Sequence, residues 1–206
     1  ASAISEAVMS GINGGSLVFD GVVLDFETLK GSQSADNYTS LISDIRGAIG
    51  KDKLIYVAVH PVANNREYYN GYNYRDIGEI ADKIILMAHD YNPKKLTTQE
   101  MESAIVMTPA APLPDVYYAL KAITDSETGV QDKNKIALQI SFASVQWKLQ
   151  GGKIVNDRPY TPEYDSIVSR INYGAQMKYS SLYESPYITF VNNEDSSDNV
   201  LWYEDT

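Results

Sequence analysis

The sequence predicts an α/β fold, and two observations point to it. Apolar segments of strand length alternate with segments in which apolar residues recur at helical spacing. The strand segments are apolar on both faces, which is typical of parallel strands covered by helices. With 206 residues, of which 44% are apolar, the chain is long enough to form one substantial hydrophobic core.

Four predicted strands, each preceded by a predicted helix, account for the first 142 residues. The first helix ends before Gly14 and Gly15, because adjacent glycines stop a helix. The predicted helices cover residues 2–13, 37–49, 74–81 and 114–124, and the predicted strands cover residues 17–26, 53–59, 83–88 and 135–142.

The pattern changes after residue 142, where short polar segments rich in Trp, Tyr and Asn replace the apolar strands. A helix is predicted over 162–173, strands are predicted over 187–191 and 200–203, and a polar turn lies between those strands. We therefore predict two parts, an α/β core over residues 1–142 and an inserted α+β subdomain over residues 143–206. A closed (β/α)₈ barrel needs eight strands and about 250 residues, so four strands would form only part of one.

Composition and charge exclude several classes of function. The net charge of −10 disfavours binding to nucleic acid. The absence of cysteine excludes disulfides, thiolate metal sites and a cysteine nucleophile. No apolar run approaches the length of a membrane span, and the first residues lack the features of a signal peptide, so we expect the chain as given to be soluble and untargeted. Sixteen tyrosines favour sugar binding only slightly.

Two carboxylates end the first predicted strand, which is otherwise apolar. Side chains two residues apart in a strand share a face, so Val23, Asp25 and Glu27 point the same way. Parallel-barrel enzymes keep their catalytic groups at this end of the strands, and a neighbouring carboxylate raises the pKa of an acid. Glu27 is therefore a candidate general acid. The residues alone are equally compatible with two solvated acids at a strand end or with a cap of the next helix.

The segment from Phe19 to Glu27 resembles the signature of family 18 glycoside hydrolases, the chitinase family. That signature reads Asp-Gly-x-Asp-x-Asp-x-Glu after an apolar residue. This chain departs from it at Val23, where the family usually has Asp or Asn. The matching residues are Phe19, Asp20, Gly21, Val22, Leu24, Asp25 and Glu27.

Two further segments are similar to the same family. Residues 87–91, Met-Ala-His-Asp-Tyr, resemble its Met-x-Tyr-Asp segment on the sixth strand, with His89 in place of tyrosine. Residues 200–205 resemble the segment that closes the α+β insertion before the eighth strand. The resemblance therefore implies part of a (β/α)₈ TIM barrel, about strands 4 to 7, with the insertion near the C-terminus. The subgroup it resembles most is the bacterial cell-wall and spore-cortex peptidoglycan hydrolases.

The resemblance implies a hydrolase that cleaves β-1,4 linkages of N-acetylglucosamine-containing glycans, chitin or peptidoglycan, with retention and with help from the substrate's 2-acetamido group. Glu27 would protonate the leaving oxygen, and Asp25 would hold the acetamido N–H. The substrate-binding residues implied are Asp90, which would hydrogen-bond the sugar, His89, which would approach the acetamido group, and Met87, Tyr91 and Gln139, which would line the pocket.

The same resemblance implies a secreted or cell-wall-associated bacterial protein whose partner is an N-acetylglucosamine-containing polysaccharide. Neither a cofactor nor a metal is expected, and neither nucleic acid nor membrane insertion is expected. Half a barrel would expose strand edges, through which copies of the chain could associate. We expect Trp147 and Trp202 to be packing residues of the insertion, and we expect His60 to have no direct role.

Three alternatives stay open. The chain could be a catalytically silent, chitinase-like carbohydrate-binding protein, although such relatives usually lose the acid that Glu27 retains. It could be an inactive barrel fragment that lacks one wall of the groove. An unrelated α/β binding module would be favoured if Asp25 and Glu27 faced helices instead of a pocket.

Overall fold

Strands and helices alternate through the first 139 residues of the computed structural model, which describes residues 1–11, 19–62, 70–103 and 107–204. The elements in chain order are α1 (Ser2–Ser10), β1 (Gly21–Asp25), α2 (Ser32–Ile49), β2 (Leu54–Val59), α3 (Tyr74–Ile80), β3 (Lys83–Met87), α4 (Thr98–Met101), α5 (Leu113–Ile123) and β4 (Ile136–Gln139).

The first four strands form one parallel sheet in the order β1-β2-β3-β4, as the alternating pattern predicts. Its register aligns Asp25 with Ala58, Ala58 with Ile85, and Ile85 with Ala137. Met87 and Gln139 are paired two residues further on. Because the strands are parallel, all four carboxyl ends lie at the same edge of the sheet.

The two faces of this sheet differ in burial. On one face, Leu24, Ile55, Val57, Val59, Ile84 and Leu86 are almost fully buried, as are Ile42 and Ile45 of α2 and Ile77 of α3. On the other face, Val23 is 58% exposed. Strand residues alternate between faces, so Val23 and Asp25 lie on the face opposite the buried Leu24.

An arginine ties together the elements at the amino edge of the sheet. The guanidinium of Arg46 donates to the carbonyl oxygens of Gly50 and Lys53, and it forms an ion pair with Asp82. The same carboxylate of Asp82 accepts the backbone N–H of Ile55 at 2.7 Å. At this edge, a Cβ on Gly21 would lie 2.1 Å from the carbonyl oxygen of Leu54, so only glycine permits the close pairing of β1 with β2.

The rest of the chain builds a second sheet. Its elements are β5 (Val145–Gln150), β6 (Lys153–Ile154), α6 (Tyr164–Asn172), β7 (Gln176–Ser180), β8 (Ser185–Val191) and β9 (Asp198–Trp202). The strands are antiparallel in the order β6-β5-β9-β8-β7. Trp147 and Trp202 are buried in one core on this sheet, as predicted, and Ile167 of α6 packs in another with Ile188 and Leu201.

Contacts divide the chain into two compact units. The first contains residues 1–88 and 117–139, and the second contains residues 89–116 and 140–206. The division into domains at residues 142 and 143 stays a prediction. Among the described helices, none combines the length and the apolar character needed to span a membrane.

Several element bounds differ from those predicted. The helix α2 begins at Ser32 instead of Asn37, because its first turn is polar and shows no apolar periodicity. The strand β4 ends at Gln139 instead of Phe142, because its partner β3 ends at Met87 and the ladder stops there. The predicted helix end at residues 12–15 and the predicted strand start at residues 17–18 lie outside the described residues.

Candidate active site

Asp25 and Glu27 lie at the carboxyl end of β1, where the sequence predicts them. Asp25 is the last residue of the strand, and Glu27 follows two residues later. Both are exposed, whereas Leu24 between Val23 and Asp25 is buried on the opposite face. Asp25 therefore faces away from the buried side of the sheet, and Glu27 is open to solvent with its side chain 58% exposed. This arrangement disfavours the alternative in which the acids face helices.

Glu27 has a histidine neighbour just beyond the end of the adjacent strand β2. The Nε2 atom of His60, which directly follows β2, lies 3.9 Å from Oε2 of Glu27. The His60 side chain is only 17% exposed, and its backbone carbonyl accepts a 2.5 Å hydrogen bond from the hydroxyl of Tyr74. His60 is thus held beside Glu27 from the neighbouring strand, and the sequence analysis missed this contact.

Two tyrosine hydroxyls hold the backbone that carries the acids. Tyr38 of α2 donates to the carbonyl oxygen of Leu24 at 3.0 Å, and Tyr72 donates to that of Phe26 at 2.7 Å. The two tyrosine rings are in edge contact, with centroids 5.9 Å apart. Burial, with a smaller contribution from Tyr72, raises the pKa of Tyr38, so its hydroxyl stays a neutral donor.

The residue after Glu27 has an unusual backbone conformation. Thr28 has a φ of 63°, a region that β-branched residues rarely occupy. Just beyond it, Gly71 donates its N–H to the carbonyl oxygen of Leu29 at 3.0 Å, and a Cβ on Gly71 would lie 2.6 Å from the carbonyl carbon of Leu29. The turn that follows Glu27 is therefore tightly constrained and strained, a feature that clusters at functional sites.

Two other predicted site residues lie at the same edge of the first sheet. Met87 and Gln139 are directly paired at the carboxyl ends of β3 and β4. Met87 is buried and Gln139 is exposed. The first unit thus brings Asp25, Glu27, Met87 and Gln139 to one edge of one sheet.

His89, Asp90 and Tyr91 belong to the second unit. Asp90 also has a positive φ, 62°, which aspartate tolerates better than most residues. Its Oδ2 lies 2.8 Å from Nζ of Lys94 and 3.5 Å from Nδ1 of His89. Partial burial raises the pKa of Asp90, but the hydrogen bond and charge of Lys94 together with His89 outweigh it and hold this pKa below its usual value.

The neighbours of Asp90 differ in their environment. Tyr91 is buried, and its backbone N–H donates to the carbonyl oxygen of Ala110 at 2.8 Å. Both ring nitrogens of His89 are buried, and Nδ1 lies 3.5 Å from the carboxylate of Asp90. The roles of His89 and Tyr91 in substrate binding stay predictions.

The chain matches the model of the glycosyl hydrolases family 18 over residues 3–206. It belongs to glycosyl hydrolase family 18. Among curated relatives, the cortical fragment-lytic enzyme of Bacillus subtilis is 24% identical over 195 residues, which are 91% of this chain and 41% of that protein. The chain spans about two fifths of the length of the curated relatives that it matches.

Solved structures of this family 18 type share the fold. A chitinase from Chromobacterium violaceum superposes with a TM-score of 0.70 at 20% identity, covering 91% of this chain and 54% of the other. A chitinase-like agglutinin from Robinia pseudoacacia superposes with a TM-score of 0.62 at 22% identity, covering 91% and 56%. Together with the family, these likenesses assign the chain an α/β fold of the TIM-barrel type.

Within this family 18 chain, Val23 is the departure from the signature. Val23 is aligned with Tyr56 of β2, and Asp25 is aligned with Ala58. Within β1, whose residues are all described, Asp25 is therefore the one acid, and Glu27 follows two residues after the end of the strand.

Proposed function

We propose that this chain is the catalytic part of a glycosidase that cleaves β-1,4 linkages of N-acetylglucosamine-containing glycans. The observation that carries the proposal is the placement of Asp25 and Glu27, two residues apart, at the carboxyl edge of a parallel sheet in a family 18 chain. We further propose that β1–β4 correspond to strands 4 to 7 of the barrel. The antiparallel sheet with α6 would then be the α+β insertion.

The proposed reaction uses the substrate's own 2-acetamido group as the nucleophile. Glu27 donates its proton to the glycosidic oxygen while the acetamido oxygen attacks the anomeric carbon, and the bond to the leaving sugar breaks. Asp25 accepts a hydrogen bond from the acetamido N–H and stabilises the positive charge of the oxazolinium ion. Glu27 then takes a proton from water, which attacks the anomeric carbon and restores both the acetamido group and the protonated acid.

The surroundings of the two acids suit these roles. The hydroxyls of Tyr38 and Tyr72 bind the carbonyl oxygens on either side of Asp25, which limits movement of the acid-bearing backbone. His60 lies 3.9 Å from the exposed carboxylate of Glu27 and would limit the positions that this carboxylate adopts. Positioned groups of this kind lower a reaction barrier because they need little reorganisation.

The remaining predicted residues are proposed to bind the substrate. Asp90 would accept a hydrogen bond from a sugar hydroxyl, with its carboxylate oriented by Lys94. His89 would bind the acetamido group through a ring nitrogen, in place of the tyrosine that is usual in the family. Met87, Tyr91 and Gln139 would line the pocket.

Peptidoglycan is the glycan we favour over chitin, since a curated relative is named a cortical fragment-lytic enzyme. A secreted or cell-wall-associated location follows from that substrate. Self-association is also proposed, because β1 and β4 are the outer strands of the described parallel sheet and each has one unpaired edge.

Glycan binding without cleavage is the second candidate function. The residue that favours binding without cleavage is Val23. The family signature usually has Asp or Asn at this position, whereas the exposed side chain of Val23 carries neither a carboxylate nor an amide. The fold does not distinguish hydrolysis from binding without cleavage, since both a chitinase and a chitinase-like agglutinin have it.

Hydrolysis assays separate the two candidates. The substrates are a fluorogenic N-acetylglucosamine oligomer and purified peptidoglycan, tested with this chain and with a longer chain extended at both ends. The variant Glu27→Gln is compared with Glu79→Gln, which neutralises an exposed glutamate of α3. Hydrolysis that only Glu27→Gln abolishes supports the glycosidase. Saturable glycan binding without hydrolysis in either chain supports the binding protein.

A further inference from the structure

A small cavity of about 250 Å³ lies beside Asp90 in the second unit. This volume is below the roughly 300 to 1,000 Å³ of typical ligand pockets, so the cavity fits a substituent of a sugar. The polar residues that line it are Asp90, Asn92, Lys94, Ser144, Arg158 and Thr161. Asp90 is the residue proposed above to hydrogen-bond the glycan.

The residues that line this cavity carry one more positive than negative charge. Lys94 is paired with Asp90 at 2.8 Å, and the neighbouring Lys95 is paired with Asp157 at 3.7 Å. Arg158 is exposed, and no ion pair of its guanidinium is seen among the described residues. Among the residues that line the cavity, two cations, Lys94 and Arg158, thus accompany one carboxylate, that of Asp90, in a protein whose net charge is −10.

We propose that this cavity binds a carboxylate carried by the glycan, an inference that rests on the proposed function and narrows its substrate to an acidic glycan. Peptidoglycan has such groups, because its muramic acid units carry a lactyl carboxylate or a peptide attached to it, whereas chitin is uncharged. The planar guanidinium of Arg158 can bind a carboxylate through two parallel hydrogen bonds. Lys94, held by Asp90 at the wall of the cavity, supplies a second donor.

A buried amide completes the donor set. Asn92 is 7% exposed, and among the described residues its Nδ2 atom makes one hydrogen bond, a long 3.4 Å contact with the adjacent carbonyl oxygen of Pro93. A buried amide with such poor pairing gains from a ligand acceptor. The carboxylate of Asp90 at the wall favours a singly charged ligand over a dianion such as phosphate.

The test compares binding of four tetrasaccharides by calorimetry. All measurements use the Glu27→Gln background, so that the ligands stay intact. One ligand is a chitin tetrasaccharide, and one alternates N-acetylglucosamine with N-acetylmuramic acid and has free lactyl carboxylates. The third is the methyl ester of the second, and the fourth carries a peptide stem on each lactyl group. The quantity compared is the ratio of each dissociation constant to that of the chitin tetrasaccharide.

We expect the free acid or the peptide-bearing ligand to bind more tightly than the neutral ligands. Arg158→Gln should lower that preference about three- to tenfold, as expected for a partly exposed charge pair. Lys153→Gln is the matched control, because it removes an exposed cation that is paired with Glu102 and does not line the cavity. Preference for the free acid assigns the carboxylate to the lactyl group, and preference for the peptide-bearing ligand alone assigns it to the stem.

Equal binding of the acid, its ester and the peptide-bearing ligand would overturn the proposal, as would a preference that Arg158→Gln leaves unchanged. The ester comparison needs no variant of the cavity, so it holds even if Arg158→Gln alters folding. Failure of the proposed function is a separate result. The proposed function fails if the chain with Glu27 intact does not hydrolyse any glycan. That result does not depend on the ratios of the dissociation constants.

Discussion

Nε2 of His60 lies 3.9 Å from Oε2 of Glu27, across the gap between the ends of two adjacent parallel strands. The imidazole is mostly buried and its ring centroid lies 6.1 Å from that of Tyr72, whereas the carboxylate is exposed. The histidine therefore limits the positions that the carboxylate can adopt. On this account His60 is a positioning residue, and it acts through Glu27.

Replacing His60 should affect turnover more than substrate affinity. We expect His60→Ala to lower kcat about tenfold with little change in KM, because loss of alignment of an acid costs rate without removing a substrate contact. His60→Gln should restore most of the rate, since glutamine keeps a polar side chain of similar reach beside Glu27. Steady-state kinetics on the glycan that the chain cleaves provide the measurement. A rise in KM alone, or equal losses for both variants, would contradict the positioning role.

The strained backbone of Thr28, the residue after Glu27, can be tested by measuring the free energy of unfolding. Thr28→Asn should raise the free energy of unfolding by about 1 kcal/mol, because asparagine tolerates the left-handed region that a β-branched residue avoids. Thr28→Val keeps the β-branch and should give no such gain. Denaturant unfolding of the three proteins measures the difference. If Thr28→Val gained as much as Thr28→Asn, relief of backbone strain would not be the cause.

Restoring the family signature should move the pH dependence of catalysis. Val23→Asp places a third carboxylate on the face of β1 that carries Asp25, at about 7 Å along the strand. The added negative charge makes ionisation of Asp25 harder and so raises its pKa. Because Asp25 must be ionised for catalysis, the acidic limb of the kcat/KM profile should shift to higher pH. Val23→Asn is the neutral control. An unchanged profile for Val23→Asp would show that Val23 has no influence on the acids.

An ion pair in the second unit predicts a defined pH dependence of stability. The hydrogen bond from Lys148, with two more from Ser197, lowers the pKa of Asp195 to about 2. A carboxyl whose pKa is lower in the folded state contributes stability above its unfolded pKa and loses it as pH falls through the folded value. Asp195→Asn should therefore lower the melting temperature at pH 7, and most of the difference should disappear as the pH falls from about 4 to about 2.

Thermal unfolding of the wild type, Asp195→Asn and Asp198→Asn at pH 7, 4 and 2 makes this comparison. Asp198→Asn removes a nearby exposed aspartate that forms no ion pair with any described residue. A difference between wild type and Asp195→Asn that persists at pH 2 would show that the effect does not come from ionisation.

Local sequence patterns were enough to predict the parallel strands and the placement of the two acids. The alternation of side chains in a strand is a local property, so it assigns Asp25 to the face opposite Leu24 without knowledge of tertiary structure. Glu27 lies beyond the end of β1, and its sharing of that face stays a prediction. Met87 and Gln139 were placed at strand ends by the family resemblance, and the structure pairs them at the carboxyl ends of β3 and β4. The start of α2 was misplaced because polar first turns carry no apolar period.

Contacts between distant parts of the chain could not be predicted in this way. The approach of His60 to Glu27 depends on β2 being the direct neighbour of β1, which the order of elements alone does not establish. The cavity lined by Lys94 and Arg158 joins segments more than sixty residues apart. The positive φ of Thr28 is likewise imposed by its surroundings, since threonine does not favour it.

The most direct test of the central claim compares Glu27→Gln with wild type on two N-acetylglucosamine oligomers of equal length, one with an ordinary sugar as leaving group and one with an activated phenol. If Glu27 donates the proton, the variant should lose about 10²- to 10⁴-fold in kcat on the sugar leaving group and far less on the phenol, which departs without protonation. Equal rates for variant and wild type on both substrates would contradict the role of Glu27 and, with it, the proposed mechanism.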